Sequence, residues 1–205
     1  MHLADELLRR YRPISEQVSR EDVKLVLNEL EAILERSVPG DVVEFGCYIG
    51  TTSLFIRRLL DAHHSNKAFH VYDSFAGLPA KEGQDASPAG DGFKAGELAA
   101  GKNQFIREFR HAGLQLPVIH KAWFEELSEN DIPSEISFAF IDGDFYRSTV
   151  TALTHVWPRL AAGGTVLIDD YGREALPGVE QAVRDFFRGS PPQVTVAHNI
   201  AVLKK

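Results

Sequence analysis

Five short apolar runs, rich in Val, Ile and Phe, constrain what this chain can fold into more than any other feature. They lie at 41–45, 68–72, 116–119, 136–141 and 165–168, interleaved with helical stretches and free of tight-turn signals between them. Strands that succeed one another without hairpins are joined by right-handed crossovers, so the pattern predicts an α/β fold on a parallel sheet. Ahead of the first run, Val23, Val26, Leu27, Leu30, Ile33 and Leu34 recur at helical spacing and Pro39-Gly40 closes them. Residues 1–38 therefore read as an N-terminal helical segment. Further helices are predicted from Thr51 to Ala62, from Tyr146 to Leu160, and from Pro177 through Phe187, with Pro191-Pro192 as the stop. The tail from Gln193 to Lys204 alternates and reads as one or two closing strands. Residues 79–102 are rich in Gly, Ala and Lys and lack apolar periodicity, which predicts a long surface loop with Asp91 to Lys94 as a candidate lid. With no internal repeat and no composition break, 1–205 is read as a single domain.

Charge narrows the choice of ligand. Lys and Arg number 22 against 29 Asp and Glu, a formal net charge of −7. That balance argues against a nucleic-acid partner and favours a cationic or metal-bearing one. The single cysteine, Cys47, allows no internal disulfide, in keeping with a reducing cytoplasm. The first residues mix both signs of charge, and no apolar run approaches about 18 residues. Neither export nor a membrane partner is expected.

Two groups of residues carry chemistry. In Val42-Val43-Glu44-Phe45-Gly46-Cys47-Tyr48-Ile49-Gly50-Thr51, two glycines stand at a strand-to-helix turn, where open parallel sheets bind small ligands. The spacing is neither that of a dinucleotide fingerprint nor that of a phosphate loop. Glu44 would repel a pyrophosphate and attract an ammonium or sulfonium group, with about 4 kcal/mol between unit charges about 4 Å apart at an effective dielectric of 20. S-adenosylmethionine carries both cations. Asp73 closes the second run and sits where an acid would hold ribose hydroxyls.

The second group is acidic. Asp142 and Asp144 follow the fourth run, and Asp169-Asp170 follow the fifth. If these strands are neighbours their carboxylates converge, and an all-oxygen set suits a hard cation such as Mg²⁺. Asp142, Asp169 and Asp170 are the expected metal ligands. Asp144 is expected beside the metal as the base that takes a proton from an acceptor hydroxyl.

At these residues the sequence resembles the metal-dependent class I methyltransferases, and most closely the macrocin O-methyltransferase family, which methylates sugar hydroxyls of antibiotics. The resemblance rests on Val43 to Gly50, Val71 to Pro79, Lys121 to Phe124, Ile141 to Thr149 and Pro158 to Tyr171. It implies a doubly wound, mostly parallel seven-stranded sheet and an enzyme that uses S-adenosylmethionine and Mg²⁺ on a small hydroxylated acceptor. It also implies that Glu44, Gly46, Tyr48, Gly50 and Thr52 surround the methionine part of the donor, with Asp142 beside them. Asp73 would hold the ribose, and Ser74, Ala122, Trp123 and Phe124 would surround adenine. Catechol-type relatives place a lysine three residues after the first metal aspartate; here that position is Phe145, which favours Asp144 as base. Ala122 stands where the family usually has glycine. A homo-oligomer, with the N-terminal helices as contacts, is a further implication.

Three other readings compete. A nicotinamide-dependent dehydrogenase conflicts with Glu44 and the glycine spacing. A phosphate-switched receiver domain carries its acidic pair at the first strand, whereas this chain carries it at the fifth. A non-catalytic S-adenosylmethionine-binding domain would have no need of every proposed metal ligand. His155 and His198 are candidates either for packing or for reaching the crevice.

Overall fold

The computed structural model describes residues 3–90, 92–188 and 192–205. Asp91 of the candidate lid and Pro191 of the expected helix stop lie outside them. All five apolar runs form strands: β1 (Asp41–Phe45), β2 (Phe69–Asp73), β3 (Val118–Lys121), β4 (Ile136–Ile141) and β5 (Leu160–Ile168). The tail supplies two more, β6 (Val194–Ala197) and β7 (Ile200–Lys204). They build one seven-stranded sheet in the order β3-β2-β1-β4-β5-β7-β6. The first five strands are parallel, and β7 runs antiparallel to both β5 and β6. His198 and Asn199, with φ of 52° and 61°, make the β6–β7 turn. Positive φ at both central residues matches the natural twist of a two-residue hairpin.

Helices α1 (Leu3–Arg10), α2 (Arg20–Glu35), α3 (Thr51–Ala62), α4 (Lys102–His111), α5 (Tyr146–Val156) and α6 (Pro177–Phe186) cover the two faces. The two-residue period of the central strands separates those faces. Phe138 and Phe140 of β4 join Val42, Leu167 and the apolar sides of α2 and α3 in one core. Ala139 and Ile141 join Val43, Ile168 and the inward residues of α5 and α6 in the other. Val23, Val26, Leu27, Leu30 and Ile33 of α2 are all fully buried inside the domain.

Several boundaries differ from the sequence reading. β2 and β3 begin later, and α5 stops at Val156, where Trp157–Arg159 tightens into a 3-10 turn containing Pro158. Leu160 therefore opens β5 instead of closing the helix, because the proline has no N–H to continue α5. Helix α4 had no prediction, since Phe105 and Phe109 are its only buried residues and make a faint stripe.

Strand order reverses between β1 and β4, because β1 to β3 build outward on one side and β4 crosses back to the other. That switch point, at the carboxyl ends of the strands, is where a doubly wound sheet leaves a crevice. The register brings Phe45, Ile141 and Ile168 side by side, so everything that follows these three residues meets there.

Candidate active site

The chain leaves β1 at Gly46, whose φ of 86° is left-handed, and whose imagined Cβ would lie 1.9 Å from the carbonyl oxygen of Asp142. Only glycine permits the ends of β1 and β4 to approach so closely. The following loop wraps a single carboxylate. The amides of Cys47 and Tyr48 donate to Asp73 Oδ2 at 2.8 and 3.2 Å, and the Phe75 amide donates to Oδ1 at 2.7 Å. Asp73 thus shapes the glycine loop as well as facing the crevice. Gly50 starts α3 with a φ of 95° and no side-chain cap.

Glu44 lies beneath this loop, 1% exposed, with the Ser53 hydroxyl donating to its carboxylate. Burial pushes its carboxyl up to about 8; the Ser53 hydrogen bond opposes the rise and the Asp73 charge adds to it.

A cavity of about 390 Å³ opens above the switch point. Among the residues predicted to hold the donor, Gly46, Tyr48, Asp73, Ser74, Trp123, Phe124 and Asp142 line it. Glu44, Gly50, Thr52 and Ala122 do not. Glu44 and Thr52 are buried behind the loop, and the Ala122 amide is spent on the Asp73 carbonyl at 3.1 Å.

All four strand-end aspartates reach the cavity wall. Carboxylate oxygens of Asp142, Asp144 and Asp170 lie within 4.8 Å of one another. The expected ligands were Asp142, Asp169 and Asp170; the tight group contains Asp144, while Asp169 lines the same cavity. Asp144 has a φ of 59°, which turns the chain sharply after the strand end. Asp169 instead accepts the amide of Asp170 at 2.9 Å, which ties one of its oxygens to its own turn.

Burial and mutual repulsion hold these acids above the ordinary carboxylate range. Asp142 is pushed well up, by burial first and then by Asp169, Asp144, Asp170 and Glu44. Asp144 rises to about 8 through burial and the charges of Asp170 and Asp169, and Asp169 rises to about 7 through burial and Asp170. Among the described lining residues only Arg173 brings a fixed positive charge, and its guanidinium donates to Asp170 Oδ1 at 2.7 Å. So much uncompensated negative charge on an all-oxygen donor set fits a hard divalent cation.

Several wall residues had no sequence signal. Glu16 and Gln17 come from the segment before α2, and Ser19 and Asp22 from its start, where they form a capping box. The Ser-x-x-Asp pattern could have marked that helix start, but nothing local says that it overhangs the cavity. Leu78 and, from the long loop, Phe93 and Leu98 also line the cavity. His198 lines the cavity at the β6–β7 turn. His155 is packed instead, its ring stacked 6.4 Å from Phe45 and its Nε2 3.1 Å from the Phe124 carbonyl oxygen.

The family model for macrocin O-methyltransferase (TylF) matches residues 16–195 of this sequence, a span containing every lining residue outside the β6–β7 turn. The chain belongs to the macrocin O-methyltransferase family. A Streptomyces olivaceus relative of this TylF-family chain, 8-demethyl-8-(2,3-dimethoxy-alpha-L-rhamnosyl)-tetracenomycin-C 4'-O-methyltransferase, is 34% identical over 77% of the chain. Mycinamicin III 3''-O-methyltransferase of Micromonospora griseorubida is 31% identical, also over 77%. The chain spans 61% of the first relative's length and 64% of the second's. Among solved structures, the O-methyltransferase NovP superposes with a TM-score of 0.78 at 25% identity, covering 92% of this chain and 81% of NovP. The calicheamicin methyltransferase CalS11 superposes at 0.69 with 20% identity, covering 98% of this chain and 90% of that one, which shows the shared fold.

Proposed function

We propose that this TylF-family chain is an S-adenosylmethionine-dependent O-methyltransferase that uses Mg²⁺, or another hard divalent cation, to methylate a hydroxyl of a small natural product. A sugar hydroxyl is the favoured acceptor. The observation that carries the reading is the meeting of Asp142, Asp144 and Asp170 in the same cavity as the Gly46 loop and Asp73. The relatives' names support the choice of reaction and acceptor: one methylates a rhamnosyl-tetracenomycin and another a mycinamicin.

The donor's adenosine end fits against Trp123 and Phe124, with Ser74 nearby and Asp73 offering carboxylate oxygens to the ribose. Its methionine end fits beneath the Gly46–Tyr48 turn, where the surrounding acids favour the sulfonium and ammonium charges. Asp142, Asp144 and Asp170 would hold the cation, with Asp169 beside them. When bound, the cation supplies Lewis-acid polarisation of the acceptor hydroxyl and fixes its oxygen in line with the methyl group. Asp144, through the carboxylate oxygen not given to the cation, would take the proton as the acceptor oxygen attacks the methyl carbon. The carbon–sulfur bond breaks, and the electron pair returns to sulfur to leave neutral S-adenosylhomocysteine. Phe93, Leu98, Leu78 and Phe124 provide apolar walls that exclude water from the reacting atoms.

Calorimetry with S-adenosylmethionine, in Mg²⁺ and in EDTA, tests the donor half of the reading, and methyl transfer to rhamnosylated polyketides tests the rest. Donor binding in both buffers and Mg²⁺-dependent transfer are expected. Absence of donor binding overturns the function, and transfer indifferent to EDTA overturns the metal.

A further inference from the structure

Asp85 lies in the long loop, far in sequence from every residue discussed so far, yet it is 1% exposed. Its Oδ1 accepts the amide of Tyr146 at 2.8 Å and its Oδ2 the amide of Glu82 at 3.0 Å. Tyr146 is the first residue of α5. The residue in the capping position, Phe145, makes no side-chain cap bond. A carboxylate from a loop 61 residues away thus does what a local Ser or Asp ordinarily does at a helix start.

A second helix start closes on the same carboxylate. Gly178 is the second residue of α6, and a Cβ there would lie 2.0 Å from Asp85 Oδ1 and 3.0 Å from the Tyr146 nitrogen. The buried charge therefore sits between two positive helix ends. The loop is fastened around it, with Arg147 pairing to Glu82 at 3.0 Å and the Ser87 hydroxyl donating to the Glu174 carbonyl oxygen at 2.6 Å.

Two residues before Tyr146 stands Asp144, left-handed at a φ of 59°. Such a backbone is sparsely populated by residues other than glycine and is held in place by its surroundings. The Asp144 carboxylate is nevertheless held within 4.8 Å of those of Asp142 and Asp170, acids whose charges would repel it. Behind it, the Phe145 amide donates to the Gly143 carbonyl at 2.6 Å, and the next amide is the one Asp85 holds.

We infer that Asp85 is a positioning residue: by capping α5 from the loop, it pins the turn that keeps Asp144 grouped with Asp142 and Asp170. Loop and acid site are then one mechanical unit, and α6 contributes by presenting a glycine where any side chain would evict the cap. The inference rests on the reading of that acid group as a divalent-cation site.

The test is Mn²⁺ affinity by calorimetry for wild type, Asp85→Asn, Asp85→Ala and Gly178→Ala, alongside S-adenosylhomocysteine affinity and amide exchange at Tyr146. Asn can still accept the Tyr146 amide through its oxygen, so its effect is expected to be the mildest. Gly178→Ala displaces Asp85 while leaving its carboxylate in the chain, and a urea denaturation curve for each variant separates loss of positioning from loss of stability. Expected are faster exchange at Tyr146, S-adenosylhomocysteine binding within about twofold of wild type, and Mn²⁺ affinity at least about tenfold weaker in Asp85→Ala and Gly178→Ala. If Asp85→Ala does not fold, the other two variants decide. Mn²⁺ affinities within about twofold of wild type, despite faster Tyr146 exchange, overturn the inference. A wild type that binds S-adenosylhomocysteine but no Mn²⁺ overturns the metal reading and this inference with it, and one that binds neither overturns the proposed function.

Discussion

Single residues at the switch point are constrained by contact and by charge. Gly46 cannot be replaced without moving a strand end, because its Cβ would enter the Asp142 carbonyl and its φ is left-handed. Gly46→Ala is expected to lower unfolding free energy by at least about 2 kcal/mol in urea denaturation. Glu44 offers a prediction in pH. Its carboxyl titrates near 8 in the folded protein, above its ordinary value, so the folded state holds the proton more tightly than the unfolded chain. That contribution to stability is complete below the ordinary carboxylate range and is lost as pH rises through about 8. Glu44→Gln carries no such proton, so in EDTA its melting temperature should fall less steeply than wild type between pH 5 and pH 8. Parallel slopes for the two proteins would show that Glu44 ionises freely in the fold.

Elements carry functional residues to places their own sequences do not announce. Helix α2 is capped by Ser19, whose oxygen accepts the Asp22 amide at 3.1 Å, while Asp22 accepts the Ser19 amide at 3.0 Å. Asp22 also lines the cavity, and its charge adds to the rise in Asp169 and Asp170. Ser19→Ala should cost about 1 kcal/mol of stability with little change in Mn²⁺ affinity. Asp22→Asn should weaken Mn²⁺ binding severalfold beyond any loss of stability, because it removes a negative charge facing the acid group; equal behaviour of the two variants would confine Asp22 to capping. Helix α4 acts through one ring: Phe105 is fully buried, and a Cβ on Gly50 would lie 2.9 Å from it. Phe105→Ala is expected to cost about 3–5 kcal/mol and to loosen the glycine loop, which a drop in S-adenosylhomocysteine affinity would register.

For the whole molecule, the sheet order places the donor wall and the acid group at one rim, so ligand and fold stabilise each other. Adding Mg²⁺ to EDTA-treated protein should raise its melting temperature, with about 2.7 kcal/mol gained at a hundred times the dissociation constant. Asp170→Asn should lose most of that gain, and an equal rise with Na⁺ at matched ionic strength would assign the effect to screening. The sequence alone determined the layered α/β fold, the glycine turn after β1, and the two acidic strand ends, because each is written in a local period or a short motif. The length of α5 and the existence of α4 were less legible, since Pro158 falls inside an apolar pattern that runs on to Leu160, and α4 is held by only two buried phenylalanines. What only the tertiary structure decided is which groups meet. Asp144 rather than Asp169 joins Asp142 and Asp170, Glu44 turns inward beneath the loop, and Asp85 caps a helix that follows it by 61 residues. Periodicity and motifs record the direction each residue takes from its own backbone. Convergence at a rim depends on strand order, register and the left-handed turns at Asp144 and Asp170, and these are settled by contacts between segments distant in the chain.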